Sequence, residues 1–176
     1  ILRKFARLVV DELELRIQAG SDQLTGVMAR RHWVSMVKEE IQRAARNSNL
    51  LCIALFDIDR FKRINDAYGH AVGDQVIRNV IATCKHELRA GSKLGRIGGE
   101  EFAIMMPFRS IAENRHTTEA LHKNIAEIAV KLDVSGLVTT ASLGVFIADG
   151  DAKLDDALHE ADTALYRAKA LGRNRA

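Results

Sequence analysis

The apolar residues of this chain recur at helical spacing in several long segments. Over residues 1–19 they lie three or four positions apart and charges fill the opposite face, which predicts an amphipathic helix ended by Gly20-Ser21-Asp22. The same spacing predicts helices near 28–46 and 73–89, and a polar helix is expected near 110–132. The last helix, with Gly172 as its C-cap, is expected to turn a final set of residues inward: Leu154, Ala157, Leu158, Ala161, Leu165 and Ala168.

Shorter apolar runs predict the strands. The run LLCIALFDID (50–59) is continuous and bounded by polar residues, which is typical of a central strand covered on both faces. The segment SKLGRIGGEEFAIMMP (92–107) predicts two strands joined by a glycine turn, with Pro107 stopping the second. GLVTTASLGVFIA (136–148) alternates and predicts another strand, while RFKRINDAYGH (60–70) predicts a short helix or turn. This order of elements favours an α/β or α+β fold, with helices on one sheet.

The composition is that of an ordinary soluble globular domain. The chain has 176 residues, 47% hydrophobic and 28% charged, with a net charge of +3, which is too mild to argue for nucleic acid. Aromatic residues make up only 5%, and no stacking platform for bases is evident. Cys52 and Cys84 are expected to be buried reduced thiols. No stretch has the length of a membrane span or the pattern of a signal peptide, and the chain starts at Ile1, so we expect a fragment of a longer protein.

Acidic residues lie at the ends of two of the predicted strands. Asp57 and Asp59 end the first strand, and Glu100 and Glu101 open the second strand of the hairpin. If these strands are neighbours, Asp57 and both glutamates converge at one edge of the sheet, and convergent hard oxygen ligands suit Mg²⁺ or Mn²⁺. Taken singly, each acid is explained better as a solvated residue at a strand end.

Other polar residues near these acids also have a structural explanation. Gly98 and Gly99 permit either a tight turn or the close approach of a ligand. Asn65 suits a turn and Asp74 a helix N-cap. Three cations are equally well explained as solvated surface charges: Lys62, Lys169 and Arg173.

Four stretches together resemble the GGDEF family of diguanylate cyclases. They are DQLTGVMARR (22–31), FDIDRFKRINDAYGHAVGDQVI (56–77), RIGGEEF (96–102) and ADTALYRAKALGRNR (161–175), and the signature takes the GGEEF form. The resemblance implies a central mixed, largely antiparallel sheet of about five strands flanked by helices, akin to nucleotide cyclases and polymerase palms. It divides the chain into an N-terminal linker helix (1–21) and a cyclase domain (22–176).

The resemblance also implies a reaction and roles for the residues above. Two GTP molecules would become cyclic di-GMP and two pyrophosphates. Asp57, Glu101 and the carbonyl of Ile58 would hold divalent metal, and Glu100, beside the metal and the reacting 3′-hydroxyl, would be the base. The guanine edge would be read by Asn65 and Asp74, the β- and γ-phosphates would meet Lys62, Lys169 and Arg173, and Gly98 and Gly99 would let the nucleotide lie against the backbone.

The product needs two GTP molecules facing each other, whereas one chain offers one site. A C2 homodimer of half-sites is therefore expected, with the helix over residues 1–19 setting its alignment in response to an upstream sensor domain. The fragment is expected in the cytoplasm, with no contact of its own to a membrane.

One stretch departs from the family pattern. Many members carry an inhibitory Arg-x-x-Asp site before the signature, and the aligned residues here are Arg89-Ala90-Gly91-Ser92. Serine cannot supply a charged acceptor for guanine, so product inhibition is expected to be weak or absent. The alternative to an active enzyme is a catalytically weak module that binds GTP or cyclic di-GMP and serves regulation or dimerisation.

Overall fold

The computed structural model describes residues 20–128, 132–149 and 152–176, in which helices cover both faces of one sheet. The strands are β1 (Met28–Ala29), β2 (Leu51–Ile58), β3 (Lys93–Arg96), β4 (Glu101–Pro107) and β5 (Ala141–Ala148). The helices are α1 (Arg30–Arg46), α2 (Phe61–Tyr68), α3 (His70–Glu87), α4 (Ile111–Ala126) and α5 (Leu154–Ala170). The helix expected over residues 1–19 lies outside the described residues.

The sheet has the strand order β1-β3-β4-β2-β5. The central strand β2 pairs antiparallel with both β4 and β5, β3 pairs antiparallel with β4, and only the short β1 runs parallel to its neighbour. The expected fold, a mixed and largely antiparallel sheet of about five strands with flanking helices, is therefore confirmed. Because β2 is central, the acids that follow its apolar run are placed between two neighbouring strands.

Alternate residues of β2 serve two separate cores. Cys52, Ala54 and Phe56 face α3 and α4, whereas Leu51 and Ile53 face α1 and α5. This explains the continuous apolar run, since a strand covered on both faces has no solvent side. Cys52 and Cys84 are free and buried, as expected, and burial raises the pKa of their thiols to about 11 and about 12.

Helix α1 has the interior face that its spacing predicts: Trp33, Val37, Ile41 and Ala44 are all buried. The Trp33 indole N–H donates to the Lys93 carbonyl at 3.0 Å, which ties the helix to β3. The ring lies directly over Gly95, where a Cβ would overlap it. The chain thus uses a glycine on β3 to admit its only tryptophan.

Several element bounds differ from those expected. The polar helix ends at Ala126 in α4, and α3 begins at His70 rather than near 73. Strand β5 begins at Ala141, not at 136, and Ile147, the residue before its last, is 41% exposed. Within the described part of the chain, no helix is both long and apolar enough to cross a membrane.

Candidate active site

The sheet places Asp57 of β2 directly opposite Glu101 of β4. On the other side of β2, Asp57 is opposite Ser142 of β5. Directly opposed residues on antiparallel strands point to the same face, so these side chains lie on the face that α5 covers. The expected proximity of Asp57 to the hairpin acids is therefore found.

The glycine turn between β3 and β4 fixes the position of Glu101. The Glu101 carbonyl accepts hydrogen bonds from the Ile97 and Gly98 N–H groups, at 2.9 and 3.2 Å. The Glu101 side chain folds back over Gly98, where a Cβ would lie 2.7 Å from its Oε2 atom. A side chain at Gly98 would require the Glu101 carboxylate to move, whereas a Cβ on Gly99 would meet nothing within 4 Å.

Glu100 occupies a different position from its neighbour. It lies in the turn before β4, and its carbonyl accepts from the Ile58 N–H at 3.3 Å. This bond holds the turn against the end of β2. Glu100 still contributes charge to the site, because it and Glu101 both raise the pKa of Asp57.

Asp57 is buried and pairs with a lysine. Its Oδ2 atom lies 3.1 Å from the Lys169 ammonium at the C-terminal end of α5. Burial raises the pKa of the Asp57 carboxyl, and the ion pair with Lys169 offsets this only in part. Keeping the Asp57 carboxylate ionised in the folded protein therefore costs free energy. A cation that is nearer or more highly charged than Lys169 would offset this cost.

The three carboxylates do not form a ready-made metal cage in the arrangement that the structure describes. Within residues 20–128, 132–149 and 152–176, no three His, Cys, Asp or Glu side chains are arranged to hold a metal ion. The Asp57 carboxylate is paired with the Lys169 ammonium, and the Glu101 side chain lies over Gly98. Glu100 lies in the turn before β4. Two opposed carboxylates beside a cation nevertheless form a donor set that suits Mg²⁺ or Mn²⁺ once Lys169 is displaced.

The residues expected to contact guanine lie on α2 and α3. Asn65 is inside α2 and Asp74 is in the second turn of α3, so neither is the turn former or the N-cap of the structural alternative. The Asn65 Oδ1 atom is buried without a hydrogen-bond partner, and a Cβ on Gly73 would overlap it. This amide oxygen therefore has an unused capacity to accept a hydrogen bond. The absence of a side chain at Gly73 provides the space that the oxygen fills.

The remaining predicted cations, Lys62 and Arg173, lie on different elements from Lys169. Lys62 is exposed on α2, one turn before Asn65. Arg173 follows α5 with a φ of +66° and is half-buried. Arg173 lines a cavity of about 340 Å³, while Glu101 lines a separate one of about 780 Å³ between α1 and α5. These two residues thus border different spaces on the surface.

The sequence pattern did not predict a role for Arg96, which links the glycine turn to Asp22. The Arg96 guanidinium donates to the Gly99 carbonyl at 2.7 and 3.0 Å, and to both oxygens of Asp22 at 3.0 and 3.1 Å. Burial raises the pKa of Asp22, but hydrogen bonds from Thr25 and Arg96 outweigh it and lower the pKa overall. Both residues stand in the stretches that carried the family resemblance, which was the available signal.

The stretch aligned with the inhibitory site is engaged internally. The Arg89 guanidinium pairs with the Glu113 carboxylate at 2.7 Å and donates to the Thr117 hydroxyl at 3.1 Å. The Ser92 hydroxyl is buried without a partner. Arg89 is therefore committed to α4 in this state, and Ser92 adds no charge beside it.

Comparison with known proteins gives a consistent result. A family model described as diguanylate cyclase, GGDEF domain, matches residues 19–175. Diguanylate cyclase DgcP of Pseudomonas aeruginosa is 36% identical over 160 residues, covering 91% of this chain and 24% of that protein. This chain spans less than half the length of the curated relatives that it matches.

Two solved structures are similar over almost the whole chain. Diguanylate cyclase SiaD of Pseudomonas aeruginosa, in complex with its activator SiaC, is 30% identical with a TM-score of 0.85, covering 98% of this chain and 67% of that one. The coiled coil and GGDEF domain of DgcB from Caulobacter crescentus, in complex with c-di-GMP, is 28% identical with a TM-score of 0.82. That match covers 99% of this chain and 93% of the other.

Proposed function

This chain belongs to the GGDEF family of diguanylate cyclases, and on that premise we propose that it condenses two GTP molecules into cyclic di-GMP and two pyrophosphates. The observation that carries the proposal is the register of β2 and β4, which sets the Asp57 and Glu101 carboxylates opposite each other. Lys169 lies at the same point and offers a cation for phosphate.

In the proposed reaction, each residue acts on GTP in a stated way. Asp57 and Glu101, with the Ile58 carbonyl, would hold Mg²⁺ or Mn²⁺, which would lower the pKa of a 3′-hydroxyl and neutralise phosphate charge. Glu100 accepts the proton of the 3′-hydroxyl as its oxygen bonds to the α-phosphorus of the other GTP. The bond from that phosphorus to the bridging oxygen breaks, and pyrophosphate leaves.

The other residues hold the nucleotide during this step. Asn65 and Asp74 hydrogen-bond the guanine edge, and the unpaired Asn65 oxygen supports this role because it lacks a donor in the ligand-free protein. Three cations hold the β- and γ-phosphates and stabilise the departing pyrophosphate: Lys62, Lys169 and Arg173. Gly98 and Gly99 would let the nucleotide lie against the backbone, which at Gly98 requires the Glu101 side chain to turn away.

The reaction requires two chains in this proposal. The product is two-fold symmetric and one chain carries one set of these residues, so a C2 homodimer would complete the site. Residues 1–21 would form the linker that aligns the two halves under the control of an upstream sensor domain in the full-length protein. The domain would work in the cytoplasm, where GTP is supplied.

The function is tested by incubating the chain with GTP and Mg²⁺ and analysing the products by mass spectrometry. We expect cyclic di-GMP and pyrophosphate, with a specific rate that rises with protein concentration because two chains must meet. Retention of bound GTP without product would favour the regulatory module instead. A specific rate independent of concentration, at concentrations where the chain is monomeric, would reject the shared site.

Product inhibition is expected to be weak. The Arg89 side chain is held by Glu113 and Thr117, and Ser92 offers no carboxylate to a guanine. We expect the rate of GTP turnover to change little when micromolar cyclic di-GMP is added, and Arg89→Ala to leave that response unchanged. Ser92→Asp should increase inhibition by about tenfold, since it restores one charge-assisted acceptor. Submicromolar inhibition of the natural chain that disappears in Arg89→Ala would contradict this prediction.

A further inference from the structure

Asp59 is a buried carboxylate with no role in the proposed chemistry. The residue is only 6% exposed, and both side-chain oxygens accept hydrogen bonds. Oδ1 accepts from the Ser142 hydroxyl at 2.6 Å, and Oδ2 accepts from the Thr140 hydroxyl at 2.7 Å. Oδ2 also accepts from the backbone N–H of Asn174 at 3.0 Å, across 115 residues of sequence. The carboxylate therefore joins the end of β2 to β5 and to the C-terminal segment.

The C-terminal segment reaches Asp59 through an unusual backbone path. Helix α5 ends with hydrogen bonds from the Gly172 N–H to the Lys169 carbonyl and from the Arg173 N–H to the Ala168 carbonyl, at 3.4 and 3.0 Å. These are the paired bonds of a Schellman motif, and Gly172 has the positive φ of +114° that the motif favours. The motif reverses the chain directly before Arg173.

Two residues after that glycine are also left-handed. Arg173 has a φ of +66° and Asn174 a φ of +51°, and such conformations disfavour residues with a side chain. They persist only where surrounding contacts hold them. Here the contacts are Asp59 on the Asn174 N–H, and the Leu143 N–H on the Arg175 carbonyl at 2.8 Å. The segment is thus fastened on both sides of Arg173, at Ala168 before it and at Asp59 after it.

We propose that Asp59 is a positioning residue that holds Arg173 ready to bind the terminal phosphates of GTP. This rests on the proposed function, in which Arg173 binds the β- and γ-phosphates. Asp59 does not touch the nucleotide; it acts by fixing the backbone of the adjacent residue, Asn174. Preorganised donors bind a charged group more tightly because they lose less freedom on binding.

The proposal separates binding of GTP from binding of GMP, which lacks the β- and γ-phosphates. In Asp59→Asn, one oxygen becomes an NH₂ group and the negative charge is lost, so the bond from the Asn174 N–H loses its charged acceptor even where the remaining oxygen still accepts it. We expect GTP affinity to fall about tenfold, the worth of one hydrogen bond to a charged group, with GMP affinity unchanged. In an Arg173→Ala background, Asp59→Asn should cause no further loss of GTP affinity.

A matched control uses the other oxygen of the same carboxylate. Ser142→Ala removes the hydrogen bond to Oδ1 but leaves the Asn174 contact to Oδ2 in place. It should lower stability without changing the ratio of GTP to GMP affinity. Hydrogen exchange of the Asn174 amide, measured without nucleotide, should accelerate in Asp59→Asn and not in Ser142→Ala.

The outcomes distinguish this inference from the proposed function. Equal losses of GTP and GMP affinity in Asp59→Asn, an equal loss in the Arg173→Ala background, or unaltered exchange of the Asn174 amide would each overturn the positioning role. If the chain binds GTP in the expected pattern but forms no cyclic di-GMP, the proposed function fails and the positioning role stands. If the chain binds no GTP, both fail.

Discussion

Asp57→Asn should reduce the rate of cyclic di-GMP formation by about a thousandfold, which corresponds to about 4 kcal/mol of transition-state stabilisation. Asp57 is the buried member of the opposed carboxylate pair, and an amide cannot supply the negative charge that a divalent cation requires. The measurement is the initial rate with saturating GTP and Mg²⁺. Glu101→Gln should give a loss of similar size, because Glu101 lies opposite Asp57.

The control for this prediction is Asp156→Asn. Asp156 is an exposed acid in the first turn of α5, at the opposite end of that helix from Lys169, so its replacement should leave the rate within about twofold. A rate for Asp57→Asn above about a tenth of the unaltered value would show that Asp57 is not a metal ligand.

The same variant also reports on the energetic state of the ligand-free site. The fold raises the pKa of Asp57 and so favours its neutral form, and the domain therefore loses stability as pH rises from the ordinary pKa of the carboxyl through the raised one. Asp57→Asn removes this penalty. Without metal at neutral pH it should therefore unfold at a temperature no lower than the unaltered chain, which separates loss of catalysis from loss of fold.

Gly144→Ala should destabilise the domain by about 3 kcal/mol, the largest loss of stability expected from a single added methyl group. A Cβ at Gly144 of β5 would overlap the Ala161 carbonyl oxygen and the Leu165 backbone nitrogen, and would lie 2.8 Å from the Leu165 Cα atom. These are backbone atoms of α5, so no rotamer change can relieve the overlap. The measurement is the free energy of unfolding from urea denaturation.

Gly99→Ala is the matched control for that stability measurement. A Cβ there would meet no atom within 4 Å, and Gly99 does not have a positive φ, so the expected change is below about 0.5 kcal/mol. An unfolding midpoint for Gly144→Ala equal to that of the unaltered chain would show that α5 does not rest directly on β5. Displacement of α5 should also weaken the Lys169–Asp57 ion pair, and activity should fall with it.

The sequence pattern was sufficient for elements that bury a regular stripe. The interior face of α1 and the doubly covered strand β2 follow from spacing alone, because their neighbours demand only apolar contact. Residues 137–140 were less predictable: they alternate like a strand but precede β5. Leu137 and Thr139 are nevertheless buried, so burial there does not require pairing in the sheet.

The proximity of Asp57 to the hairpin acids was predictable from the sequence, but the contacts of these side chains were not. The positions of Asp57, Glu100 and Glu101 at strand ends indicated that they could share one edge of the sheet. They could not give the register of β2 against β4 or show that Lys169 would form an ion pair with Asp57. Asp59 illustrates the same limit, because its partner Asn174 is 115 positions away along the chain. Such contacts depend on how α5 ends, which is decided by packing of the whole domain. The roles assigned to the individual site residues stay predictions.

The ion pair between Lys169 and Asp57 means that the resting site supplies its own counterion. An arriving divalent cation must compete with an ammonium group already in place, and the displaced ammonium then needs a new anion. A triphosphate meets that need, so cation and nucleotide should each raise the affinity for the other by the same factor. When nucleotide is scarce, magnesium alone should therefore not displace Lys169 from Asp57, even at high concentration.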